Sequence, residues 1–121
     1  MTGVADVARP PAGEPADDGS RLERYRLHAE ICKVLTDPKR LMLIDAMRPG
    51  ERSVGELAGT VGLSLANVSQ HLAVLRHAGL VDTRRAGTSI HYRLSEPELV
   101  AACDIIERLV RRRLHTADGG H

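Results

Sequence analysis

Tryptophan and phenylalanine do not occur in this 121-residue sequence, and Tyr25 and Tyr92 are its only large aromatic side chains. Hydrophobic residues still make up 42% of the chain, so a core is available, but it must be built from Leu, Val, Ile and Ala. Cys32 and Cys103 are the only cysteines, too few and too far apart for a disulfide framework. Two free thiols fit a reducing compartment, and the expected location is the cytoplasm. No apolar run approaches the length of a membrane span, and the N-terminus lacks the charged-then-apolar order of a signal peptide. Catalytic signatures are missing too: there is no Gly-rich phosphate loop, no His-Glu-x-x-His and no serine on a strand-to-helix elbow. Acidic residues fall mostly at caps and on helix surfaces, and a pair such as Asp104 and Glu107 reads as a solvated face rather than a catalytic dyad. The expectation is that the chain is not an enzyme.

The length allows one domain, and a domain this small buries roughly two-thirds of its unfolded surface, so a second subunit would help cover the remainder. The formal charge of +1 conceals an asymmetry. Residues 1–20 set four acidic side chains against Arg9 alone, whereas the rest holds 16 Lys/Arg against 12 Asp/Glu. A mildly basic body suits a polyanionic partner.

Residues 1–20, rich in Ala, Pro, Gly and Asp, are expected to be a disordered tail, and 116–121 a frayed end. The span 21–115 holds five helical segments and one hairpin. The first helix is predicted from about Arg21 to Leu35, with Leu22, Tyr25, Ala29 and Cys32 on one face. Asp37-Pro38 starts a second helix that carries Leu41, Ile44 and Met47 inward and stops at Pro49-Gly50. Ser53-Val-Gly-Glu56 is a capping box for a short third helix ending near Gly62. Ser64 caps a fourth, which buries Val68, Leu72 and Leu75 and closes at Gly79. Alternation from Leu80 predicts strands over Leu80–Arg85 and Ser89–Leu94 around Ala86-Gly87-Thr88. Ser95-Glu-Pro-Glu98 reads as a second capping box, opening a last helix to about Leu114.

Helix, tight turn, helix, hairpin is the order of a winged helix-turn-helix: mainly α with a small β-hairpin, about five helices plus a two-stranded wing. With Val68, Leu72 and Leu75 inward, the fourth helix presents Ala66, Asn67, Ser69, Gln70 and Ala73 on its other side. Those side chains are small or short and polar, so the helix backbone can lie deep in a major groove, where Asn and Gln match adenine edges and Ser several bases. Ser64 belongs to the same end, and His71 and Arg76 flank the helix. Arg84 and Arg85 fall at the hairpin tip with Thr88 across the turn, within reach of phosphates or a minor groove. The plainer alternative makes Asn67, Ser69 and Gln70 an ordinary solvated face and His71 a packing residue.

The stretches KVLTDPKRLMLIDAM and RSVGELAGTVGLSLANVSQHLAVLRHAGLVDTRRAGTSIHYRL resemble the ArsR/SmtB family of bacterial winged-helix repressors, over about Arg21 to Leu114. The resemblance implies a homodimer formed by the first and last helices, a recognition helix at Ser64–His77 and a wing at Arg84–Ile90. It implies a repressor on a near-palindromic double-stranded DNA operator that leaves when an inducer binds, in some members a metal or metalloid ion, in others a thiol oxidant or persulfide.

The family's known sensor sites are not matched. Ser53 and Gly55 stand where a thiolate box on the third helix would be, and a hydroxyl is a poor ligand for a soft ion. Glu96, Glu98, Leu109 and Arg112 stand at the zinc-type positions of the last helix, where Leu and Arg cannot bind zinc. Asp45 and, near the other end, Arg111 replace the cysteines of the persulfide-sensing members. What remains is Cys32 and Cys103, with His28 one turn before Cys32, and Cys103 on the expected buried stripe Leu99, Cys103, Ile106, Val110. The sharper expectation is inducer sensing by these thiols, through disulfide or persulfide chemistry or by a thiophilic ion such as zinc or arsenite, held by Cys32, Cys103 and His28. The plainer one makes both cysteines small interface hydrophobes. No cofactor is otherwise required. A DNA binder without a small-molecule switch is the alternative function.

Overall fold

A computed structural model describes residues 18–119. The expected tail at 1–20 lies outside the described residues as far as residue 17, and Asp18 already begins a helix. The chain divides into an N-terminal unit ending at Glu30 and a larger one from Ile31. In the first, helix α1 (Asp18–Val34, continuing into the second unit) carries Leu22, Tyr25 and Leu27 half exposed, and the Arg21 guanidinium lies 5.9 Å from the Tyr25 ring centre.

The larger unit is built on local signals. Asp37 caps α2 (Pro38–Ala46), its carboxylate accepting from the backbone N–H of Lys39 at 2.7 Å and of Arg40 at 3.3 Å. Ser53 and Glu56 close the expected capping box on α3 (Val54–Val61): Ser53 Oγ accepts from Glu56 N at 3.1 Å, and Glu56 Oε1 accepts from Ser53 N at 2.9 Å. Gly62, at φ 73°, ends α3 in the left-handed conformation and turns the chain into α4 (Leu65–His77), which Ser64 caps through Asn67 N. After α4, Leu80 N bonds back to Leu75 O at 2.9 Å and releases the chain into the wing.

Strands β2 (Val81–Ala86) and β3 (Ser89–Leu94) pair antiparallel, Val81 opposite Leu94 through Ala86 opposite Ser89. Gly87, at φ 63°, and Thr88 make a two-residue turn, one residue tighter than expected, and the glycine supplies the positive φ that this turn requires. A third strand that the sequence did not reveal, β1 (Arg52–Ser53), adds to the other edge of β3, giving the order β1-β3-β2. Two residues are too short to display a period. The last helix, α5 (Leu99–Gly119), runs five residues beyond the expected Leu114.

The core is aliphatic, as a chain without Phe or Trp requires: Leu43, Ile44, Met47, Leu57, Val68, Leu72, Leu75 and Val81 are almost wholly buried. Val68, Leu72 and Leu75 face it from α4, as their spacing predicts. Three expectations need correcting. On α2 the buried positions are Leu43, Ile44 and Ala46, followed by Met47 at its C-cap, while Leu41 is exposed, because the side of the helix that meets α3 and α4 carries Leu43 and Ile44 and not Leu41. Ser95 does not cap the last helix: its N–H donates to Leu80 O and its Oγ is buried without a partner, while Leu99 N and Val100 N bond to Glu96 O and Pro97 O in the turn that precedes α5. On α5 the stripe begins half buried at Leu99 and Cys103, but Ile106 and Val110 are exposed in the single chain.

Candidate nucleic-acid interface

Helix α4 separates its residues cleanly. Opposite its buried stripe, Ala66, Asn67, Ser69 and Gln70 are exposed, with Arg76 exposed further along, and Ala73 is half buried. Ser64 is exposed at the N-terminus, its hydroxyl oxygen engaged as the cap. The exposed surface of the first two turns is therefore composed of the Leu65 side chain with methyl, hydroxyl and amide groups, and Ala66, Asn67, Ser69 and Gln70 bring no cation to it. Such a surface can approach base edges closely and offers both donors and acceptors.

His71 is different. It is half buried, and its Nδ1 lies 3.4 Å from Nη1 of Arg40. Arginine can only donate, so in a hydrogen bond between the two side chains Nδ1 is the acceptor. Arg40 itself donates from Nε to Val34 O at 2.7 Å and lies 4.0 Å from the Asp37 carboxylate. The sequence expectation set His71 at the flank of the helix as a DNA contact, with packing as the alternative; in the structure it faces Arg40, which α2 supplies.

The wing distinguishes its two arginines. Successive strand residues point to opposite faces, so Arg84 and Arg85 cannot share one. The Arg84 guanidinium is held by both carboxylate oxygens of Glu51, Nε lying 3.0 Å from each and Nη2 closing a further bond. His91, opposite Arg84 on β3, stands 4.0 Å from the same carboxylate. The Arg84 hydrogen bonds hold the Glu51 carboxyl below the usual range, and Glu51 in turn raises Arg84. Arg84 therefore is not a free cation at the tip, whereas Arg85 and Thr88 stand exposed beside the turn. Glu51, 33 residues away, left no sequence signal of this pairing.

Cys32 and Cys103 are both free, Cys32 exposed and Cys103 partly buried. Burial pushes the Cys103 thiol up, a shift that Arg48 opposes. Arg48 joins α2 to α5 by hydrogen bonds to Asp45 and Asp104. Among the described residues, no group of three or more His, Cys, Asp or Glu side chains is gathered as a metal ion would need. A cleft of about 550 Å³, lined by Met47, Arg48, Arg93, Leu94, Pro97 and Val100 among others, includes none of the predicted site residues. No helix among the described residues is long and apolar enough to cross a membrane.

Residues 37–83 match the profile of the bacterial regulatory protein family arsR. The span runs from the Asp37 cap through α4 into the first wing strand. Over 108 residues the chain is 40% identical to the biofilm growth-associated repressor of Agrobacterium fabrum, covering 85% of this chain and 90% of that protein. Among solved structures, NolR from Sinorhizobium fredii is similar with a TM-score of 0.68 and 32% identity, over 79% of this chain and 95% of NolR. A homodimeric winged helix-turn-helix DNA-binding domain from Mycobacterium bovis matches with the same TM-score of 0.68 and 28% identity, over 87% of this chain and 94% of that one.

Proposed function

The chain belongs to the arsR family of bacterial regulatory proteins, DNA-binding transcriptional regulators and not enzymes, and from that premise we propose that it is a repressor that sits as a symmetric homodimer on a near-palindromic operator. The observation that carries this reading is the exposed face of α4, Ala66, Asn67, Ser69 and Gln70, set between the Gly62 turn and a wing whose tip carries Arg85 and Thr88. Helix residues read base edges, and the wing grips the backbone beside them. The repressor named in A. fabrum supports the direction of regulation, and the homodimeric domain from M. bovis supports the two-fold partner. Two-fold symmetry requires half-sites about one helical turn apart. Such work places the protein in the cytoplasm with the chromosome.

Selection of bound sequences from randomised duplexes tests the proposal. The expected product is an inverted repeat bound more tightly than competitor DNA. Recovery of no preferred sequence, with binding abolished by moderate salt, would overturn it.

Inducer sensing falls to Cys32 and Cys103 in this reading. Cys32 is the accessible thiol, while Cys103 is partly buried and burial pushes its thiol up, so thiol chemistry starts at Cys32. A thiophilic ion held by Cys32, Cys103 and His28 is the other form of the same proposal. Operator release titrated with an oxidant, a persulfide, Zn(II) and As(III) separates the forms, when wild type is compared with Cys32→Ser and Cys103→Ser. Release that both variants show unchanged from wild type would remove the thiols from the mechanism.

A further inference from the structure

The wing carries two adjacent arginines on opposite faces, and only one of them is tied. Glu51 immediately precedes β1, and it reaches Arg84 on β2 across the width of the three-stranded sheet. The carboxylate is largely shielded, with a side-chain exposure of 26%, while Arg84 keeps 54%. Both oxygens of Glu51 are used by one guanidinium, and the His91 ring is the next polar neighbour at 4.0 Å. Arg93 on β3 leans instead toward Asp82, also at 4.0 Å. The bidentate fork makes the Glu51–Arg84 contact the best-formed charge pair on the wing.

We propose that Glu51 is a specificity-determining residue that withholds Arg84 from the DNA backbone. The idea rests on the DNA-binding reading above. Each arginine that neutralises a phosphate adds affinity for every sequence alike, because the gain comes from released counterions and not from bases. A wing with both arginines free would grip random DNA more tightly and so narrow the margin between operator and genome. By occupying Arg84, Glu51 leaves the wing's phosphate contact to Arg85 and leaves discrimination to the exposed face of α4. The position of Glu51 just before β1 suits this role: the fold already holds its carboxylate on Arg84 before DNA arrives.

The test uses the full chain, a random-sequence duplex of about 30 base pairs and an operator recovered by selection, with affinity measured across a salt series. Glu51→Gln keeps the shape and removes the charge. Its expected effect is tighter binding to random DNA, on the order of fivefold at about 0.1 M monovalent salt, a salt slope steeper by about one contact per subunit, and a reduced operator-to-random ratio. Arg84→Gln in the otherwise unchanged chain is expected to move the slope far less than Arg85→Gln. Glu51→Gln combined with Arg84→Gln should return the random-DNA affinity to that of Arg84→Gln alone. Arg84→Gln flattening the slope as much as Arg85→Gln does would overturn the proposal, since Arg84 would then already be committed to phosphate. Unchanged or weaker random-DNA binding in a folded Glu51→Gln would overturn it as well. If Glu51→Gln fails to fold, the comparison of Arg84→Gln with Arg85→Gln still decides. Absence of any operator preference in the wild type would instead defeat the underlying DNA-binding assignment.

Discussion

Arg84 and Arg85 are neighbours in the chain, yet they meet different surroundings. Arg85 is exposed near the tip, and Arg85→Ala is expected to weaken binding to all duplexes and flatten the salt dependence by about one contact. Gln70 is exposed in the middle of the row proposed to face bases, and Gln70→Ala is expected to cost roughly 1–3 kcal/mol on the operator while blurring preference at one base pair. Equal losses on operator and random DNA would show that Gln70 reads nothing. The carboxylates give a pH signature. Hydrogen bonds from Arg48 hold Asp104 below the usual carboxyl range, those from Arg84 do so for Glu51, and the backbone of Ser53 does so for Glu56. Their folded-state values lie below their unfolded ones, so the stability they lend is complete above pH about 4.5 and is lost as pH falls through the folded values. The melting temperature should therefore drop between about pH 5 and pH 3, and drop less in Asp104→Asn, as followed by circular dichroism.

At the scale of elements, the caps and turns were readable because each is settled within four residues. Asp37, Ser53 with Glu56, and Ser64 each meet a backbone N–H two or three positions away. Ser64→Ala should cost about 1 kcal/mol of stability, read from urea unfolding. Gly62 bends α3 into α4 at φ 73°, and a Cβ there would meet nothing within 4 Å. Gly62→Ala should therefore cost about 1–2 kcal/mol from backbone strain alone, with no steric contribution. Ser95-Glu-Pro-Glu98 carries the same letters as a capping box, but the end of β3 had already taken the Ser95 backbone for a bond to Leu80 O. A local pattern loses when a long-range strand connection claims the same group. The short strand β1 was missed for the complementary reason: β3, some 40 residues later, is what makes it a strand.

For the whole molecule, α5 decides the assembly. Ile105, Ile106, Leu109, Val110 and Leu114 are between 42% and 61% exposed in the single chain, too much apolar surface along one helix to leave in water. Ile106→Asp is expected to shift the proposed dimer toward monomer in analytical ultracentrifugation and to weaken operator binding with it, because one subunit reaches only one half-site. Leu72→Ala, deep in the core, should instead cost 2–5 kcal/mol of folding stability at the same subunit stoichiometry, by the cavity it leaves (range of about that size for buried Leu).

Helix order, the wing hairpin, the three N-caps and the exposed row of α4 were determined by the sequence alone, because residue spacing and backbone hydrogen bonding are local properties of the chain. The tertiary structure alone decided that Arg84 is bound by Glu51, that His71 turns to Arg40, that Leu43 rather than Leu41 enters the core, and that Ser95 caps nothing. Each of these depends on a partner brought near by the fold from another element, and charge pairing and burial act through space, where distance along the chain carries no information.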